Sequence, residues 1–94
     1  MTAPDPRTLS DLSGIGKAAL GDLELLGVTS VAQLTREDGD ALHARLEELT
    51  QTRQDPCVLD VLRCAVAQAR DPELPREQRD WWWWSRQRKA SEAR

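Results

Sequence analysis

A chain of 94 residues with 13 basic and 16 acidic side chains, net charge −3, has room for one compact core and no deep substrate cleft. At this length only roughly 60–65% of the unfolded surface is buried on folding. The excess of acid argues against indiscriminate nucleic-acid binding, whose affinity comes from neutralising phosphates. The charges are unevenly placed: residues 1–75 carry 7 basic and 13 acidic side chains, net −6, and residues 76–94 carry 6 and 3, net +3. The chain is therefore an acidic globule followed by a basic tail, and that tail holds the only aromatic residues, Trp81–Trp84.

In chain order, residues 1–7 are polar and proline-rich and read as a disordered leader. Thr8 or Ser10 caps a short first helix through Leu9 and Leu12, which stops before Gly14-Ile15-Gly16. A second helix, Lys17–Leu26, spaces Leu20, Leu23 and Leu26 helically and ends at Gly27. Thr29 or Ser30 caps a short segment, Val31–Leu34. Thr35 with Asp38 has the spacing of a capping box. The helix it opens runs to Thr50, with Leu42, Leu46 and Leu49 as its buried stripe, and Gly39 weakens its first turn by up to ~1 kcal/mol. After the polar connector 51–55, Asp55 as cap and Pro56 in the first helical position start a helix to Ala69. That helix is apolar on most of its circumference and belongs at the centre of the fold, with Asp60 and Arg63 marking its exposed strip. A proline-bearing loop, 71–75, precedes a last helix, Arg76–Lys89, and residues 90–94 fray. One domain thus spans 8–89.

Cys57 and Cys64 lie seven residues apart on one helix, about 10.5 Å of rise, too far for a disulfide. Two free thiols suit a reducing compartment. With no signal-peptide pattern and no apolar run near the roughly 20 residues a span requires, the expectation is a cytoplasmic protein without a membrane span.

The chemistry concentrates in three places. In Leu12-Ser13-Gly14-Ile15-Gly16-Lys17, two glycines flank one apolar residue between helices. The turn can be tight, buries Ile15, and leaves the Gly16, Lys17 and Ala18 amides at a helix start, where they can bind an anion; Lys17 adds a charge-assisted contact. Over Leu12–Leu26 the sequence is similar to the helix-hairpin-helix motif of DNA repair and recombination proteins. That resemblance implies a grip on the sugar-phosphate backbone without base reading, with a monovalent cation as the sole cofactor when DNA is bound. Asp22 and Glu24 depart from it and oppose an electrostatic grip. The competing reading is a hairpin that merely joins two core helices.

The second place is the run from Thr52 to Arg63, with its Arg53-Gln54-Asp55-Pro56-Cys57 segment. Taken with the hairpin, the tryptophans, Arg86, Arg88 and Lys89, it resembles the small bacterial pathogenicity-locus or mitomycin-resistance family of helix-hairpin-helix proteins, over roughly Leu9–Lys89. Trp81, Trp82 and Trp84 match that family's tryptophans. The resemblance implies an all-α, SAM-like domain of five to six short helices, with Asp40–Thr50 and Pro56–Ala69 as a second, glycine-less hairpin and a Trp-rich C-terminal helix. Arg53 either pairs with Asp55 or reaches a phosphate. Cys57, in a first helical turn, has an activating position, yet His43 is the only histidine and no zinc-type spacing exists. Both thiols read as packing.

The third place is the tryptophan run. Four successive helical residues point nearly all round, so they cannot share one core. Trp81 and Trp84 clamp the tail, while Trp82 or Trp83 stays partly exposed among Arg76, Arg79, Arg86, Arg88 and Lys89. That setting suits base stacking on single strands, a protein hot spot or a membrane interface; alternatively, the indoles only enlarge the core. No nucleotide-binding loop, nucleophile pair or metal cluster points to an enzyme or a small-molecule substrate. The expected function is weak, sequence-nonspecific DNA binding in a DNA-damage setting, through Gly14, Ile15, Gly16, Lys17, Arg53, Arg86, Arg88 and Lys89, with DNA favoured over RNA. The alternative is a protein-interaction adaptor using the acidic surface or the exposed tryptophan.

Overall fold

The computed structural model describes residues 5–92, which are all-helical with no strand among them. A 3-10 turn, Leu9–Asp11, is followed by α1 (Lys17–Leu25), α2 (Val31–Leu34), α3 (Gly39–Thr50) and α4 (Pro56–Arg70). A second 3-10 turn, Arg76–Arg79, leads into α5 (Trp81–Glu92). No helix among the described residues is long and apolar enough to cross a membrane.

The sequence explains most of these boundaries. The Asp11 carboxylate accepts the Thr8 N–H at 2.7 Å. Behind α1, Gly27 takes φ +78°, the Val28 N–H reaches the Leu23 carbonyl at 2.9 Å and the Gly27 N–H reaches Glu24 at 3.0 Å. This pair of bonds satisfies carbonyls that a helix end leaves open, and it needs the left-handed conformation that glycine tolerates. Ser30 caps α2 and exchanges bonds with Gln33.

Leu9, Leu12, Ile15, Leu23, Leu26, Val31, Leu34, Leu42, Leu46, Leu62 and Val66 form the core, with α4 packed against α2, α3 and α5. Each such side chain contributes roughly 1.5–3 kcal/mol on burial.

Several expectations change. Thr35 ends α2, and Asp38 alone caps α3, accepting the Ala41 N–H at 3.1 Å. Gly39 has a packing purpose: a Cβ there would meet the Arg63 backbone at 2.8 Å, so its cost in helix propensity permits α3 to approach α4 closely. Leu49 is 52% exposed rather than in the buried stripe, because α4 covers the Leu42–Leu46 side. Asp60 is fully buried instead of marking an exposed strip, since α5 lies over it. Arg63 binds Asp40 through two nitrogens at 2.6 and 2.8 Å, and that bonding holds the Asp40 carboxyl below the usual range.

The single last helix becomes two elements. Asp80 is extended (φ −103°, ψ 123°), and its side chain and carbonyl accept the Trp82 and Trp83 N–H groups at 3.1 and 3.0 Å. This cap starts α5, which continues to Glu92, past the expected fray at 90; residues 93–94 lie outside the described ones. Of the expected leader, residues 1–4 lie outside as well, whereas Arg7 is held. Its guanidinium donates to the Gln68 and Ala69 carbonyls at 2.8 and 3.2 Å and to Asp5 at 2.7 Å, closing carbonyls at the end of α4 that the helix itself cannot pair.

Candidate functional site

The Gly14-Ile15-Gly16 turn is built around Gly14 at φ +83°, a backbone conformation that L side chains rarely adopt. The Ile15 N–H donates to the Leu12 carbonyl at 3.3 Å, and the side chain of Ile15 is 6% exposed. Ile15 therefore anchors the turn in the core and offers only its backbone outward. Gly16 occupies the cap position of α1, and Lys17 begins the helix, exposed. The Gly16, Lys17 and Ala18 N–H groups donate to no partner among the described residues, as expected of a first helical turn.

Gln68, buried at 4% exposure on α4, holds this turn in place. Its Oε1 accepts the Ser13 N–H and its Nε2 donates to the Ser13 carbonyl, both at 2.9 Å. The buried amide is thereby satisfied on both sides, and the turn is fixed to the central helix rather than left to pivot.

Two features flank the turn. On one side Ser13, Gly14, Trp81, the basic Arg76 and Arg79 and the acidic Glu77 and Asp80 border a cleft of about 630 Å³. On the other, a largely apolar groove of about 360 Å³ runs between the start of α1 and α4, bordered by Lys17, Asp22, Cys57, Val61 and Trp81. Burial pushes the Asp22 carboxyl up. Glu24, the other acid expected to oppose a phosphate, borders a separate depression beside Arg7 and Thr8.

Helix α5 divides its residues by spacing. Trp81, Trp84, Ser85 and Arg88 face inward, Ser85 fully so. Trp81 lies against Gly14, 3.8 Å from where a Cβ would sit, and the Trp84 indole donates to the Gln78 carbonyl at 2.8 Å. Trp82 is 56% exposed and stacks on Trp81 with ring centres 4.4 Å apart and planes at 24°. Trp83 meets Trp84 edge-on at 5.1 Å. Arg86 and Lys89 follow Trp82 at helical spacing on the outer surface.

Arg88 does not join them. It donates to both oxygens of buried Asp60, at 3.0 Å and 3.1 Å, and reaches Glu92 at 3.3 Å. A buried carboxylate demands a partner, and Arg88 is consumed as that partner. Arg53 sits in the connector, bordering a shallow depression with Glu47, Glu48 and Gln51 that shares no lining residue with the cleft or groove at the hairpin. It forms no pair with Asp55, whose side chain makes no capping bond either.

These observations sit beside two matches to known proteins. The family described as Cdd1, Pathogenicity locus, matches residues 3–90. The chain belongs to the pathogenicity-locus family. A Streptomyces lavendulae protein named mitomycin resistance protein McrB is 36% identical over 89 residues, 95% of this chain and 81% of that protein. No solved structure matches.

In this pathogenicity-locus protein the basic residues sort by use. Arg7, Arg45, Arg63, Arg70 and Arg88 are bonded to backbone carbonyls or carboxylates inside the fold. The side chains of Lys17, Arg76, Arg79, Arg86 and Lys89 bond none of the described residues. Arg76 and Arg79 had a sequence signal, a basic pair three apart before the tryptophans, but nothing local placed them at the hairpin. Gln68 had no signal, because its role depends on contact with a residue 55 positions earlier.

The thiols separate too. Cys57 is exposed, while Cys64 is buried, donates weakly to the Gln78 carbonyl at 3.5 Å and is pushed up to about 11 by burial. His43 Nδ1 lies 3.8 Å from Glu47 on its own helix.

Proposed function

We propose that this chain is a non-catalytic module of tandem, SAM-like helix-hairpin-helix units that binds DNA weakly and without sequence preference, in a cytoplasmic response to DNA damage. The observation that carries the reading is the convergence at one corner of a rigid glycine turn, the open first turn of α1, and the unpaired Lys17, Arg76 and Arg79. Backbone amides and cations so arranged favour a phosphate. The relative named for mitomycin resistance supports the DNA-damage setting. A monovalent cation fits as the only cofactor. The Leu12 and Ser13 carbonyls are taken, but those of Gly14 and Ile15 accept no bond from the described residues and could hold an ion together with a phosphate oxygen.

The test is fluorescence anisotropy of labelled single-stranded, duplex and branched DNA at low and physiological salt. Affinity should fall steeply with salt, because bound phosphates release counterions. Lys17→Glu should weaken binding to every substrate by roughly tenfold, replacing a charge-assisted contact with repulsion. An unchanged affinity in that variant would remove the hairpin from the interface. A second reading, a protein-interaction adaptor, is favoured by exposed Leu25 and Leu49 on a surface rich in acid, and salt-insensitive capture of a protein partner would support it.

A further inference from the structure

The outer stripe of α5 offers more than nonspecific charge. Trp82, Arg86 and Lys89 are spaced i, i+4, i+7, so they share one strip of the helix, about 10.5 Å long. The Trp82 ring is backed by Trp81, and Trp81 touches Gly14 of the hairpin. The indole is thus a supported platform with one face buried and over half its surface open. Asp80 has a carboxylate oxygen bonded to the Trp82 N–H, Glu92 is bonded to Arg88, and Glu77 borders the cleft with Arg76 and Arg79. Among the described residues no carboxylate pairs with Arg86, Lys89, Arg76 or Arg79.

We propose that this stripe binds a single-stranded segment of DNA, with an unpaired base stacked on Trp82 and the flanking phosphates met by Arg86 and Lys89. A supported aromatic face beside uncompensated cations matches a strand that presents both a π-face and phosphates. Bases inside a duplex have both faces occupied by neighbours and cannot use the platform. Because Trp81 joins the platform to the hairpin, the two surfaces are adjacent. One molecule would grip the backbone of a duplex with Gly16–Lys17 and receive the strand that leaves it on Trp82. The preferred substrate is therefore a duplex with a single-stranded extension. This inference rests on the proposed backbone grip.

The experiment measures the affinity of the full chain for blunt duplex and for the same duplex with a single-stranded overhang, at low salt, in the wild type, Trp82→Ala, Trp82→Phe and Lys17→Glu. The wild type should favour the overhang by roughly tenfold, the scale of one base stacked on an aromatic ring. Trp82→Ala should abolish that preference and leave blunt-duplex affinity unchanged, and Trp82→Phe should retain part of it. Lys17→Glu should weaken both substrates alike. Equal wild-type affinity for the two substrates, or a Trp82→Ala loss shared equally by both, overturns the stacking platform while leaving the hairpin grip standing. An absence of binding to either substrate overturns the grip and the platform together. Trp82 lies on the surface, so its variants should keep the wild-type unfolding midpoint. A lowered midpoint in Trp82→Ala would make the ring part of the core and overturn the platform.

Discussion

Arg86 and Arg88 stand two residues apart on the same helix, and the fold treats them oppositely. On the inner side of α5, Trp81, Trp84, Ser85 and Arg88 are committed: the indole of Trp84 is bonded to a carbonyl and Arg88 is locked to a buried carboxylate. On the outer side, Trp82, Arg86 and Lys89 bond to nothing through their side chains among the described residues. Side-chain type alone does not decide whether a basic residue is available to a partner; the residue facing it across the helix interface does. Asp60 claims Arg88, and no acid claims Arg86.

This contrast can be broken most directly at Arg88. Arg88→Ala leaves the Asp60 carboxylate buried without its partner, and urea unfolding should show a loss of about 3–5 kcal/mol, the usual consequence of stranding one member of a buried ion pair. A loss under about 1 kcal/mol would mean that the Arg88–Asp60 contact does not hold α5 against α4.

A smaller effect tests the same interface from below. Cys64 lies under the segment that leads into α5, with Trp84 and Gln78 against it. Its pKa is raised in the fold from 9.0 to about 11. The stability this contributes is fully present below pH 9, where the thiol is neutral folded or unfolded. It is lost as the pH rises through 11, because the unfolded chain releases its proton first. The decline should be on the order of 2 kcal/mol, and Cys64→Ala should abolish it in alkaline unfolding curves. A disulfide reagent at pH 8 should modify Cys57 at once and Cys64 only on opening. The smallest effect sharpens the comparison from the other side: Arg86→Ala should shift stability by less than about 0.5 kcal/mol, and any larger shift in the unfolding midpoint would tie Arg86 to the fold.

Helix order, the glycine turn, the Pro56 start and the central place of α4 were legible in the sequence because each follows from a local signal: a cap, a turn residue or an apolar period. Leu49, Asp60 and Arg88 were not. A period identifies which residues share a face, but not how far a neighbouring helix extends over it, and α5 covers Asp60 from 28 positions away. Gly39 was read as a weakness for the same reason, since its close approach to Arg63 exists only once α3 and α4 meet. At the candidate site the hairpin was visible as a pattern of glycines. Its companions Arg76 and Arg79 were visible only as charge, and Gln68 was silent.

Gln68 also sets the order in which the molecule can mature. The glycine turn is synthesised before α4, yet the two bonds that fix it come from a residue 55 positions later, and Arg7 waits for the same last turn of α4. A nascent chain ending before that turn possesses every residue of the hairpin but lacks the two Gln68 bonds that fix it to α4. The hairpin therefore becomes rigid late, when the C-terminal end of α4 closes over it.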